Sequence, residues 1–305
     1  MLLYRQQHIF SSVPGAFTIA AAGKVIATMT TTTTATNAAA PAGNHRLPLI
    51  SNEKLLQLYT AMVKCRIVRQ RMGVHFQQGV WAGVGQEAAA VGATIDLGPE
   101  DTIVPLQGEW IAGFVKGDPQ NNLFSRPCLQ ATDPDHAAQL NQAIGAALAN
   151  KISKNGKIVM ALLGDGVVSP SLCRDAFRVA GAQRLPILFV NHGAEPGSLS
   201  TLAAAEQIIS QAEVCGLPDI TVDGNDVVAV YRVATEAILH ARKGSGPTLI
   251  ECRFDRSEAH DPILNMENYL IGKGLFRKEL KHEVATGFAC ELDAAIETGT
   301  KLLKR

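Results

Sequence analysis

Residues Lys157-Ile-Val-Met-Ala-Leu-Leu163 form an apolar run without polar alternation. A strand wetted on one face alternates apolar and polar residues, so a run without alternation marks a strand covered on both faces, as in parallel sheets flanked by helices. The chain beyond it keeps that pattern. Helical spacing over 170–184 leads to a strand from Pro186 to Val190, and a helix over 201–214 leads to Ile220-Thr-Val222. A helix from Asp226 to Lys243 then precedes a strand from Thr248 to Cys252. Strands alternating with helices of this length imply right-handed crossovers. The expected fold class is therefore α/β, a doubly wound parallel sheet with helices on both faces. Internal repeats are absent.

Upstream, Ser51 is placed to cap a helix whose apolar positions Leu55, Leu58, Tyr59, Met62, Val63 and Ile67 recur at helical spacing, with Arg66 and Arg69 expected on its flanks. A Gly-punctuated loop (79–85) leads to an Ala-rich helix starting near Gln86-Glu87. Ile103-Val104 reads as a short strand, 110–115 as a helical segment, 118–136 as a loop and 137–151 as a second small-residue helix. The small-residue stretches 86–94 and 143–149 are candidates for subunit contacts, with burial inside one subunit as the alternative. Residues 1–45 contain no Asp or Glu, and a threonine run from Thr30 to Thr34 precedes an Ala/Gly/Pro stretch. Such a segment offers little apolar surface against its ordering entropy and is expected to be disordered. A transit peptide or an over-extended start, with Met29 or later as the true beginning, would have this composition. The functional domain is expected over 46–305.

Lys+Arg and Asp+Glu are both 28, so no overall basic field invites nucleic acid or an anionic membrane. No apolar run approaches the ~20 residues needed to cross a bilayer. The six cysteines are scattered without a metal-ligand spacing, which fits free, largely buried thiols in a reducing cytoplasm, or in an organelle matrix if the first segment is a transit peptide.

Ligands of doubly wound sheets sit at the carboxyl ends of the strands. Two such ends stand out. Gly164-Asp165-Gly166 follows the apolar run directly; its glycines let the backbone approach a phosphate, and its aspartate suits Mg²⁺, a hard cation that bridges diphosphates. Asn191-His192-Gly193 follows the next strand, one crossover helix later. Asp165 and Asn191 are the candidate metal ligands.

Around these ends lie Gly85-Gln86-Glu87-Ala88 with Val91-Gly92-Ala93, Asp223-Gly224-Asn225-Asp226 before Val230-Tyr231, Gly246-Pro247-Thr248-Leu249-Ile250-Glu251, and Asp261-Pro262-Ile263 with Tyr269-Leu270 and Gly274-Leu275. In that order they resemble the alpha subunit of the first, thiamine-diphosphate-dependent component of 2-oxo acid dehydrogenase complexes, of the pyruvate and branched-chain type. The resemblance runs from about Leu55 to Leu280. It implies oxidative decarboxylation of a 2-oxo acid with acyl transfer to lipoyl, thiamine diphosphate and Mg²⁺ as cofactors, a beta subunit in an α₂β₂ assembly, and a lipoyl-bearing acyltransferase as partner. It assigns cofactor contacts to Gly164, Asp165, Gly166, Gln86, Glu87 and His136, the metal to Asp165 and Asn191, and a catalytic role to His260.

The sequence also departs from that family. The Tyr-Arg pair and His expected after the short strand are replaced by Leu106-Gln107-Gly108-Glu109-Trp110. The His-Gly-His loop has become Asp255-Arg256-Ser257-Glu258-Ala259-His260. Alignment without gaps sets the family's ligand Asn on Ala194, with Asn191 satisfying the looser spacing. Beside the dehydrogenase reading stand two alternatives: a catalytically degenerate alpha-like subunit that scaffolds or regulates a beta partner, and a shared fold with a new small-molecule site.

Overall fold

The computed structural model describes residues 24–26, 50–76, 85–105, 110–117, 135–163, 168–191, 199–254 and 261–303. Its centre is a six-stranded sheet in which every pairing is parallel. The strands are β1 (Lys24–Ile26), β2 (Thr102–Pro105), β3 (Val159–Leu163), β4 (Ile187–Asn191), β5 (Asp219–Asp223) and β6 (Thr248–Arg253), laid side by side as β1-β5-β6-β4-β3-β2. The expected α/β class is what the chain adopts. The three residues of β1 pair with Asp219, Ile220 and Thr221 at the sheet edge, and the rest of 1–45 lies outside the described residues.

The apolar run is buried on both faces, residue by residue. Val159, Ala161 and Leu163 pack with Ile187, Phe189 and Leu249 under helices α4 (His136–Ser153), α5 (Pro170–Ala182) and α6 (Leu199–Val214). Ile158, Met160 and Leu162 turn the other way, toward helices α2 (Glu87–Thr94), α3 (Trp110–Lys116) and α7 (Val227–Arg242). The period of two along a strand sends alternate side chains to opposite layers.

A third apolar cluster lies outside the second helix layer. Helix α1 (Asn52–Phe76) contributes Leu55, Leu58, Tyr59, Met62 and Val63, helix α8 (Pro262–Gly272) Ile263, Met266 and Leu270, and helix α9 (Lys278–Leu303) Phe288 and Leu292. The Ser51 hydroxyl accepts from the Lys54 amide, so the expected cap is in place.

The small-residue helix α2 is buried inside the subunit rather than offered to a partner. A Cβ at Gly92 would lie 2.9 Å from Val230 Cβ and 3.0 Å from the Val227 carbonyl, so α2 and α7 approach as closely as they do only because Gly92 has none. On α4 the same composition divides: Ala143 and Ala147 face the sheet, whereas Gly145 has open space around it and Leu148 and Ile152 are exposed. Of the cysteines, Cys65, Cys173 and Cys252 are buried, Cys215 is half-buried and Cys290 is exposed. Burial pushes the Cys173 thiol up to about 12, which keeps it protonated and unreactive. No helix among the described residues is long and apolar enough to cross a membrane.

Candidate functional site

A helix between two parallel strands runs back against them, so helices that follow a strand begin at its carboxyl edge. The starts of α5, α6, α7 and α8 therefore gather where β3, β4, β5 and β6 end. The turn after β5 is built to do this. Asp223 accepts from the Asn225 amide at 2.9 Å, Asp226 caps α7 through the amides of Val228 and Ala229, and the Gly224 amide bonds the Arg253 carbonyl at the end of β6. A Cβ at Gly224 would meet the Phe254 ring at 2.7 Å, so this turn needs a glycine to close on β6. The Asp-Gly-Asn-Asp motif is thus a joint between two strand ends.

At the same edge, Asn191 closes β4 and stands in register with Leu163 of β3 on one side and Glu251 of β6 on the other. Its amide Nδ2 donates to Glu251 Oε2 at 2.7 Å. Both side chains are withdrawn from solvent, at 3% and 1% exposure. Burial raises the Glu251 carboxyl to about 7; the Asn191 bond and the Arg253 charge pull it back only in part. On the far side of Glu251, its register partner Thr221 carries a buried hydroxyl without a hydrogen bond among the described residues. Asn191, Glu251 and Thr221 thus form a polar row across three neighbouring strands.

A second polar cluster ties helix starts together. Glu87, fully buried at the first position of α2, accepts from Arg66 Nε at 2.7 Å, Arg66 Nη2 at 3.2 Å, Arg69 Nη1 at 2.8 Å and the Gly85 amide at 3.0 Å. The same Arg66 guanidinium reaches Asp261 Oδ2 at 2.9 Å and Oδ1 at 3.4 Å. Asp261 in turn caps α8 through the amides of Ile263 and Leu264. Burial pushes its carboxyl up, but the bonds from Arg66 outweigh this and hold it below the ordinary range. Arg66 and Arg69, which helical spacing sets on the flanks of α1, are accordingly structural cations turned toward Glu87 of α2. Two arginines beside two carboxylates are hard to read from sequence, since 195 residues separate Arg66 from Asp261.

The sequence candidates divide as follows. Gln86 holds the N-cap position of α2 without a capping bond from its side chain, and Glu87 is engaged by the two arginines. His136 begins α4, half-buried, with Nδ1 3.2 Å from Gln139 Oε1 one turn on. Asn191 stands beside Glu251. Gly164, Asp165, Gly166 and His260, with the altered stretches 106–109 and 192–198, lie outside the described residues. Among those described, no three His, Cys, Asp or Glu side chains gather as a metal site. The Gly-Pro-Thr-Leu-Ile-Glu motif assigns Glu251 no role, although a charged residue inside the otherwise apolar stretch Leu249 to Cys252 is the available signal.

Comparison with known proteins bears on what this edge serves. A family profile described as the dehydrogenase E1 component matches residues 126–263. The alpha subunit of acetoin:2,6-dichlorophenolindophenol oxidoreductase from Cupriavidus necator is 31% identical over 246 residues, which cover 70% of this chain and 73% of that protein. The chain belongs to the dehydrogenase E1 component family. Two further alpha subunits show its range. That of 3-methyl-2-oxobutanoate dehydrogenase from Mycobacterium tuberculosis is 31% identical over 237 residues, 66% of this chain; the match spans just under two thirds of that relative, 65% of its length. That of the pyruvate dehydrogenase E1 component from Staphylococcus aureus is 29% identical over 293 residues, 82% of this chain and 79% of the relative. The expected membership is met, on the alpha side of the E1 component.

Proposed function

We propose that this E1-type alpha chain acts with a beta subunit, in an α₂β₂ assembly, in the oxidative decarboxylation of a 2-oxo acid and acyl transfer to the lipoyl group of an acyltransferase. The observation that carries the reading is the register at the carboxyl edge. Leu163 pairs with Asn191 in neighbouring parallel strands. In the sequence Gly164-Asp165-Gly166 follows Leu163 directly. Neighbouring strands are ~4.8 Å apart. Asp165 is the second residue after Leu163 in the sequence and is the proposed partner of Asn191 on the cation. A carboxylate and an amide oxygen are the hard donors that Mg²⁺ takes, so the donor set fits that ion.

In this reading Asp165 and the Asn191 amide oxygen hold Mg²⁺, and Gly164 and Gly166 let the backbone close on the diphosphate. Bound thiamine diphosphate supplies the electron sink for decarboxylation. Gln86 and His136, at two helix starts on this edge, are the proposed further contacts to it. Glu87 acts through Arg66 and Arg69, by fixing the start of α2. His260, next to the capped Asp261, would donate a hydrogen bond to the 2-oxo acid. The functional domain is residues 46–305.

Calorimetric titration of thiamine diphosphate with Mg²⁺ into the purified chain, alone and with a candidate beta subunit, tests this. Micromolar binding abolished by Asp165→Ala is the expected result. No heat at millimolar cofactor with the beta subunit bound would overturn the reading.

A further inference from the structure

Helices α4 to α8 end in the same turn, and two of the five fill it against preference. Lys154 after α4, Arg184 after α5, Gly216 after α6, Gly244 after α7 and Gly274 after α8 each hold a left-handed backbone. In each, the amide donates to the carbonyl three residues back. A Cβ is strained in that conformation, so glycine is the ordinary occupant. At Lys154, with φ 49°, and Arg184, with φ 44°, a long cation stands there instead. Both lie at the amino edge of the sheet, opposite the edge that carries the proposed cofactor site. The turns there are stitched together. Lys151 Nζ donates to the Gln183 carbonyl, and Arg242 Nη1 donates to the Gly156 carbonyl at 2.9 Å. A Cβ at Gly246 would lie 3.6 Å from Arg184 Cα. The turns leading into β3, β4 and β6, three adjacent strands, therefore form one surface.

That surface carries Lys151, Lys154, Lys157, Arg184, Arg242 and Lys243. Glu100 pairs with Lys157 and Asp101 with Arg242. Lys151, Lys154, Arg184 and Lys243 are exposed and have no acidic partner among the described residues. A cation at a helix end is favoured by the helix dipole. Yet α6 ends without a basic residue in its last turn, and α4 already has Lys151 in its own. The dipole therefore does not account for strained cations at two neighbouring turns. Ile152, 73% exposed, adds an apolar side chain beside Lys151. We propose that this surface binds an acidic segment of a partner protein, which sets carboxylates against the four unpaired cations and an apolar side chain against Ile152. A nucleic acid offers no aliphatic partner for Ile152, and a duplex running past the turns would meet Glu100. The five residues of β3 span roughly 16 Å between the two edges, so the segment would bind clear of the cofactor.

The test follows the fluorescence anisotropy of a short labelled peptide of glutamates and leucines, titrated with the full chain and its beta subunit, alongside a thermal melt for each variant. Lys154→Gly combined with Arg184→Gly removes two of the cations and suits the left-handed backbone, so this variant is expected to melt no lower than the starting chain. Its affinity for the peptide is expected to fall about fivefold or more, and added salt is expected to weaken binding by the starting chain. Arg277→Gln with Lys278→Gln takes the same charge from the connection between α8 and α9, and is expected to change affinity by less than about twofold. Should the glycine pair not fold, Lys154→Asn with Arg184→Asn replaces it, because asparagine tolerates the left-handed region. No peptide binding at low salt, equal losses from the two pairs, or a lower melt with unchanged peptide binding would overturn the proposal. So would tighter binding of a single-stranded oligonucleotide or of phosphatidylserine vesicles than of the peptide, which would assign the surface to a phosphate-bearing partner.

Discussion

Asp261 and Glu251 both carry carboxylates at or just beyond the carboxyl edge of the sheet, yet their surroundings push them in opposite directions. Asp261 shares the Arg66 guanidinium with Glu87, and Arg69 adds a second cation, so two positive charges stand among two negative ones. Glu251 has burial without a contacting cation among the described residues; its hydrogen-bond partner is an uncharged amide. The first cluster fixes architecture, joining α1, α2 and α8 through ion pairs. The second keeps an ionisable group poised where an apolar pair in place of Asn191 and Glu251 would be at least as stable.

The largest effect that would break this comparison is expected at Arg66. Arg66→Met removes the cation shared by Glu87 and Asp261 and leaves Glu87, fully buried, with Arg69 and the Gly85 amide. Breaking a buried pair from one side costs ~3–5 kcal/mol, which denaturant unfolding would read as a lower midpoint at an unchanged slope. A loss under ~1 kcal/mol, the range of surface pairs, would put Arg66 on a level with a solvated arginine.

Next in size is a pH effect of opposite sign at the two sites. The Glu251 carboxyl is raised from 4.5 to about 7, so between those values the folded chain keeps a proton that the unfolded chain releases. Its stabilising contribution is complete below 4.5 and is lost as pH rises through about 7, by ~3 kcal/mol at ~1.36 kcal/mol per pH unit. Asp261 is held below its ordinary 3.8, so its contribution is complete above that value and is lost as pH falls below it. Unfolding free energies of the starting chain minus Glu251→Gln should therefore decline from pH 4.5 to 7. The same difference taken against Asp261→Asn should decline toward acid. A flat profile for Glu251 would mean that its carboxyl is better solvated than its position in the sheet implies.

Smaller still is Glu251→Leu, which leaves the buried Asn191 amide nitrogen without its acceptor. The expected loss is ~1–3 kcal/mol. The smallest net change is expected for Asn191→Leu combined with Glu251→Met. Replacing both partners by apolar groups of similar size removes the unsatisfied atoms together, so stability stays level or rises while Mg²⁺ binding is lost. A double variant less stable than either single one would show that the pair holds the sheet together as the arginine cluster holds the helices.

Much of the fold could be read in advance because it depends on local period. The run 157–163 has no polar alternation, and each residue from Ile158 to Leu163 meets one of two helix layers. Strand order could not be read the same way: nothing in Thr248 to Arg253 announces that β6 enters between β4 and β5. Helical spacing sets the arginines on the flanks of α1 but gives no partner for them, because spacing fixes a face and not what packs on it. The subunit-contact reading of 86–94 failed for the same reason: small residues permit close approach, and Val230 of α7 is what approaches. At the site, the strand ends were found from turn chemistry, but the partner of Asn191 lies 60 residues away in the chain and becomes its neighbour only through the sheet order.

That order has a consequence for how the protein is made. Strands β2, β3 and β4 are neighbours in both chain and sheet, and β1 with β5 forms a second piece at the far side. Only β6, translated last of the six, touches both β4 and β5. Until its residues have cleared the ribosome, two half-sheets face each other across a gap, each with an open edge that another chain can capture. A nascent or truncated chain ending before Thr248 would lack the strand that joins its halves, and it would be a natural client for chaperones until the last strand arrives.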